Sequence, residues 1–251
     1  MAAATPEQWI LDMPYGEFVR SLTLYSEPYV KIRLEPSSCE YKLPKALLCR
    51  QSTYFAAMFN GNFKEGVEQS TTLEEIDGVV STRSFEMLVQ WLYVGRVIFD
   101  EATSEETITA VLQFVRLADM CRVTRMEELM AGRIKAMVVS KAPMKAKKRA
   151  ATAFIVHNAC LTSEHIMSAV LLCRGHPVRT ILTTAAVPAY LNRANYLSEA
   201  LENCGLDVDL LKEVQIATKS FQSDGSFVTI RILSVTREYP WSVMNENYLS
   251  S

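Results

Sequence analysis

The sequence predicts an α+β protein in two parts, a small sheet capped by helices followed by an all-helical C-terminal domain. Three observations carry that expectation. Residues 30–34 alternate Val30, Ile32 and Leu34 with Lys31 and Arg33, the period of two that turns one strand face inward. From Lys45 onward the apolar spacing lengthens to three and four residues, which is the helical period. A Pro-broken, lysine-rich stretch at residues 141–149 then separates a second run of helical pattern from the first.

The elements follow in order. Residues 1–25 read as a leader with room for one short helix. After the strand at 30–34, Pro36-Ser37-Ser38 supplies turn chemistry, and Tyr41 and Leu43 predict a returning strand that closes a hairpin. Leu47 and Leu48 open a helix that pauses at Arg50-Gln51-Ser52. Tyr54, Phe55, Met58 and Phe59 then form a broad apolar stripe, ended at Asn60-Gly61 because glycine accepts the left-handed conformation of a helix terminus. A short strand is expected at 71–73. Phe85, Leu88, Val89 and Leu92 mark a helix with Ser81, Thr82 or Ser84 as its cap and Gly95 as its stop. Thr103 and Glu106 form a capping-box pattern ahead of Ile108, Val111, Leu112 and Val115, and Thr124 and Glu127 repeat it ahead of Met126, Met130, Ile134 and Met137. These methionines read as core filler.

Beyond the basic stretch, helices are expected at 150–158, at 163–173, after Pro177 through Val178, Ile181 and Leu182, at 189–203 and at 208–221. A turn at Ser223-Asp224-Gly225 leads into a terminal strand over 227–235. The expected organisation is therefore a leader at 1–25, a first domain at 26–138, a basic linker at 139–149, a helical domain at 150–222, and a terminal strand and tail at 223–251.

Composition bounds the function. The 251 residues are 49% apolar and 22% charged with a net charge of −2, which argues against disorder and gives no bulk attraction to nucleic acid. The 6 cysteines contain no CxxC pair and fit a reducing compartment, so a cytoplasmic or nuclear location is expected, undecided between the two. No apolar run reaches the roughly 18–20 residues of a membrane span. Neither a nucleophile elbow, a P-loop nor a dinucleotide fingerprint is present, and pairs such as Glu105-Glu106 and Glu127-Glu128 open helices where the dipole favours them. An enzyme is not expected, nor is a cofactor.

The order of motifs in the first half resembles the BTB/POZ domain, in the form common in fungal proteins. Leu43-Pro44-Lys45-Ala46-Leu47-Leu48-Cys49 is similar to the family's opening hairpin and first core helix. Ser52-Thr53-Tyr54-Phe55-Ala56-Ala57-Met58-Phe59 is similar to its next helix, and Phe63-Lys64-Glu65 to the F-x-E turn that follows. Phe85 through Trp91-Leu92-Tyr93-Val94-Gly95 resembles its W-L-Y-T-G signature, and Leu117-Ala118-Asp119 its L-A-D. Two positions depart from the pattern: Pro44 stands where the family carries His, and Tyr29 where many homodimeric members carry Asp. The resemblance implies a buried charged pocket at the homodimer interface, and without the Asp a partner charge there would be costly to bury. Leu161-Thr162-Ser163-Glu164-His165-Ile166 and Gly175-His176-Pro177-Val178-Arg179 are reminiscent of the helical extension that follows such domains in fungal proteins.

Three constellations merit weighing. In BTB adaptors the F-x-E element helps engage a cullin ubiquitin-ligase scaffold, so the resemblance nominates Phe63 as apolar anchor and Glu65 as the carboxylate that fixes register. The plainer reading is a turn with a partly buried Phe and a solvated Glu. His157, Cys160, Cys173 and His176 supply four N/S ligands in two pairs, the count of a tetrahedral zinc site. Half-polar His and small Cys also share helix faces without any metal, and no metal is expected. The five cations among residues 141–149 suit an import signal or, more plainly, a solvated linker. The expected function is a protein–protein interaction adaptor of the BTB/POZ type, a substrate adaptor for a cullin-based ligase, with homo- or hetero-oligomers as its assembly. The alternative is a self-associating structural or transcriptional-complex scaffold without ligase recruitment.

Overall fold

A strand with apolar residues at every second position needs a neighbour on each edge and a cover on one face, and the computed structural model supplies all three. It describes residues 19–140, 160–191, 227–232 and 235–240. Strand β1 (Tyr29–Glu35) buries Val30, Ile32 and Leu34 completely and leaves Lys31 and Arg33 in solvent. It pairs antiparallel with β2 (Glu40–Pro44), from Tyr29 opposite Pro44 to Arg33 opposite Glu40. Its other edge pairs parallel with β3 (Ser70–Glu74), giving the order β2-β1-β3. The turn between β1 and β2 holds a cis Glu35–Pro36 bond and Ser38 at φ 56°. The crossover between the parallel strands is helical, as parallel pairing requires: α1 (Lys45–Gln51), α2 (Thr53–Asn60) and α3 (Lys64–Glu68).

The pause read at residues 50–52 is the junction of α1 and α2. Ser52 caps α2 by accepting from the Phe55 amide at 3.0 Å. Helix α4 (Thr82–Val94) starts on a reciprocal Ser81/Ser84 capping box and stops at Gly95, whose φ of 71° lies in the left-handed region. Helix α5 (Ser104–Met120) begins with the expected box, Glu106 N donating to Thr103 Oγ1 at 3.1 Å and Thr103 N to the Glu106 carboxylate at 3.0 Å. Phe55, Phe59, Phe85, Leu88, Trp91 and Phe114 fill the core beneath the sheet. The rings of Phe55 and Phe59 stack at 6.1 Å, and Trp91 tilts on Phe114 at the same distance.

The chain divides into two compact units. One holds the residues up to Ala102 together with Ala110–Arg125; the other holds Thr103–Thr109 and the residues from Met126 onward. In the second, α6 (Glu127–Ser140) and α8 (Pro177–Leu191) pack together, and α7 (Ser163–Val170) packs on α8. Met126, Met130 and Ile134 are buried. β4 (Phe227–Ile232) and β5 (Val235–Pro240) form an antiparallel hairpin.

Several expectations are corrected. Gly61 is not left-handed: its φ of −78° and ψ of 174° are extended backbone. The Thr124 box does not form the start of α6, which begins at Glu127 after Arg122 and Arg125 both take positive φ. Met126 sits at its threshold, its carbonyl accepting from the Met130 amide. The helix expected to run to Cys173 stops at Val170, and the one after Pro177 continues to Leu191. The single terminal strand is two strands of a hairpin. The helices expected at 150–158 and 208–221, residues 192–203 of the helix expected at 189–203, the turn at 223–225, the basic stretch and His157 lie outside the described residues.

Candidate interaction surface

Phe63 and Glu65 are presented by a turn that returns sharply onto the end of α2. Two glycines make the return sterically feasible. A Cβ on Gly66 would meet the Gly61 carbonyl oxygen at 2.1 Å, and a Cβ on Gly61 would lie 2.7 Å from the Ala57 oxygen. The closing side is held by polar donors. Lys45 Nζ donates to the Phe59 carbonyl at 2.8 Å and Gln69 Nε2 donates to the same oxygen at 3.2 Å, satisfying a helix-end acceptor that has no partner within the helix. Gln69 Nε2 also donates to the Gly66 carbonyl, and Gln69 itself ends α3 at φ 52°.

With the backbone fixed this way, Phe63 occupies the N-cap place of α3 and points outward, 69% exposed; Val67, four residues on, is 77% exposed. Residues four apart share one helix face, so the pair forms an apolar tip. Glu65 lies in the first turn of α3 and is half-buried. Burial raises the Tyr54 phenol above its ordinary value, with the Cys121 thiol and the Glu65 carboxylate adding to the shift. The arrangement is thus the reverse of a partly buried Phe beside a solvated Glu. Val67 was absent from the sequence reading; its signal is the i, i+4 spacing from Phe63.

Beside this tip the solvent face of the sheet forms an open groove of about 410 Å³. Lys31, Arg33 and Lys64 line it against Glu40, Glu65 and Glu68. Lys31–Glu40 at 3.5 Å and Lys64–Glu68 at 3.9 Å are exposed pairs, each contributing up to about 1 kcal/mol. The surface offers an apolar anchor with mixed charge around it, suited to recognising another polypeptide rather than a small apolar ligand.

The two departures from the family pattern face each other, since Tyr29 and Pro44 are direct partners across the β1–β2 ladder. Lys42 Nζ sits 4.7 Å over the Tyr29 ring, a cation–π contact. Tyr25 and Tyr93 meet at 5.6 Å, and burial, with Tyr29 and Tyr25 nearby, raises the Tyr93 phenol.

Of the four zinc candidates, three lie among the described residues. Cys160 is buried, Cys173 is exposed, and the buried His176 uses Nδ1 to accept from the Val178 amide at 3.1 Å. Among the described residues, no three His, Cys, Asp or Glu side chains are grouped to hold a metal. No described helix is long and apolar enough to cross a membrane.

The first unit is thus a three-stranded sheet joined by a helical crossover, with Phe63 and Val67 exposed at its third helix. Residues 29–130 match the family model of the BTB/POZ domain. The chain therefore carries a BTB/POZ domain over that span, and with it a protein–protein interaction module.

Proposed function

We propose that this protein is an adaptor whose BTB/POZ domain docks a cullin ubiquitin-ligase scaffold through Phe63 and Glu65, while its second half presents a target. The observation that supports this reading is the 69% exposure of Phe63 on a backbone turn held by Gly61, Gly66, Lys45 and Gln69. A large aromatic side chain left in water on a rigid turn is the kind of group whose burial drives association at the centre of an interface. Glu65 adds the charge that sets orientation, and Val67 widens the apolar anchor.

Co-purification of full-length chain with a cullin N-terminal region tests the reading. Phe63→Ala is expected to weaken capture by about 2 kcal/mol, roughly thirty-fold in Kd, and Glu65→Ala to weaken it further, both with unchanged circular dichroism. Unchanged capture by the double variant overturns the ligase role. If the wild-type chain ignores the cullin and self-associates in light scattering, the scaffold reading replaces it.

A further inference from the structure

The buried His165 ring joins two segments of the second unit through both of its nitrogens. Nδ1 accepts from the Thr162 amide at 3.1 Å, while the His165 amide donates back to Thr162 Oγ1 at 3.4 Å, which together make the capping box of α7. Nε2 lies 2.9 Å from Thr109 Oγ1 at the start of α5, and that hydroxyl donates to the Glu105 carbonyl at 3.2 Å. An amide N–H is only ever a donor, so Nδ1 must carry a lone pair. Nε2 therefore holds the proton of the neutral ring and donates it to Thr109.

We propose that His165 is an acid-released latch, holding the start of α7 to the Thr103–Thr109 segment only while its ring is neutral. A second proton must go to Nδ1, where it points at the Thr162 N–H across 3.1 Å. Two donors then face each other, and the capping amide loses its acceptor. The cap and the link to Thr109 share one ring, so a ring that swings away from Thr162 also gives up Thr109.

The surroundings act on the ring in opposite senses. Burial lowers the affinity of His165 for its second proton, and this is the largest influence; the Glu164 carboxylate on its own helix and the Glu105 carbonyl favour the charged form. On the first turn of α5 the charged groups are Glu105 and Glu106, and Glu106 is engaged with the Thr103 amide. On α8 the charged group is Arg179, whose guanidinium donates to the Val170 and Leu172 carbonyls at and just past the far end of α7. The net effect is a folded-state value below the ordinary 6.5. The latch is fully closed above pH 6.5 and opens as pH falls through the lowered value.

Long-range proton–nitrogen spectra of the full-length labelled chain, together with amide exchange between pH 7.5 and 5.5, test this. The His165 ring is expected in the Nε2–H form at neutral pH, titrating below 6.5. Exchange at the Thr162 and His165 amides, corrected for intrinsic chemistry, should accelerate on acidification, approaching about tenfold per pH unit once the ring titrates. His165→Asn, whose Oδ1 can replace Nδ1 and does not titrate, is expected to abolish that acceleration. An Nδ1–H ring, a titration at or above 6.5, or an identical pH response in the variant overturns the proposal. The two wild-type ring measurements decide it even if the variant fails to fold.

Discussion

The Ser52 hydroxyl accepts from the Phe55 amide and donates to the Cys121 carbonyl at 2.6 Å, so one buried oxygen serves a helix start and a turn 69 residues later. Ser52→Ala removes a cap and leaves a buried carbonyl without its donor. The expected loss is about 2–3 kcal/mol, read as a lower urea midpoint at unchanged m. Gly66→Ala forces a carbon into the Gly61 oxygen and is expected to cost about 1–3 kcal/mol, while shifting the turn that presents Phe63. The sequence showed both glycines and the aromatic between them. It did not show whether a glycine was needed for its dihedral angles or for its missing side chain. At Gly95 the reason is the angle; at Gly61 and Gly66 it is the close approach of a carbonyl four or five residues back, which depends on how the chain turns after α2. The nomination of Phe63 and Glu65 came from motif order, whereas their relative exposure depended on that same return.

At the scale of elements, local chemistry was the most legible. The Ser81 cap, the Gly95 stop and the Thr103/Glu106 box each need only residues within one turn, and each is present. Helix α4 built on these signals carries Leu88 fully buried. Leu88→Ala is expected to cost about 2–5 kcal/mol and Gly95→Ala about 1 kcal/mol, a ranking that a denaturant series resolves. Pairing between elements was less legible. The strand at 71–73 was expected, but its parallel alignment with β1 was not, since period-two patterning names a buried face and not a neighbour. The terminal hairpin was missed because the segment between Ile232 and Val235 is Leu233-Ser234, without the Gly or Asn that usually announces a two-residue turn.

For the molecule as a whole, titrating groups define a plateau of stability. Burial pushes the Cys121 thiol to about 12 from an ordinary 9.0, and burial with Glu86 nearby pushes the Tyr41 phenol to about 12 from 10.0. Both folded values are raised, so their contribution is complete below the unfolded values and is lost as pH climbs from 9 toward 12. His165 is lowered, so its contribution is complete above 6.5 and lost below. Urea midpoints measured from pH 5 to 11 are expected to be flat between about 6.5 and 9 and to fall on both sides. The Cys121 thiol, neutral and fully buried, should resist a disulfide reagent until the chain unfolds, while the exposed Cys173 reacts at once. The parallel β1–β3 ladder bears on synthesis. Lys31 and Ser70 are register partners, so the strand laid down first keeps one bare edge until residues some 39 positions later leave the ribosome. At about 5–20 residues per second that is roughly 2–8 seconds in which β1, paired only with β2, offers its second edge to any other extended chain.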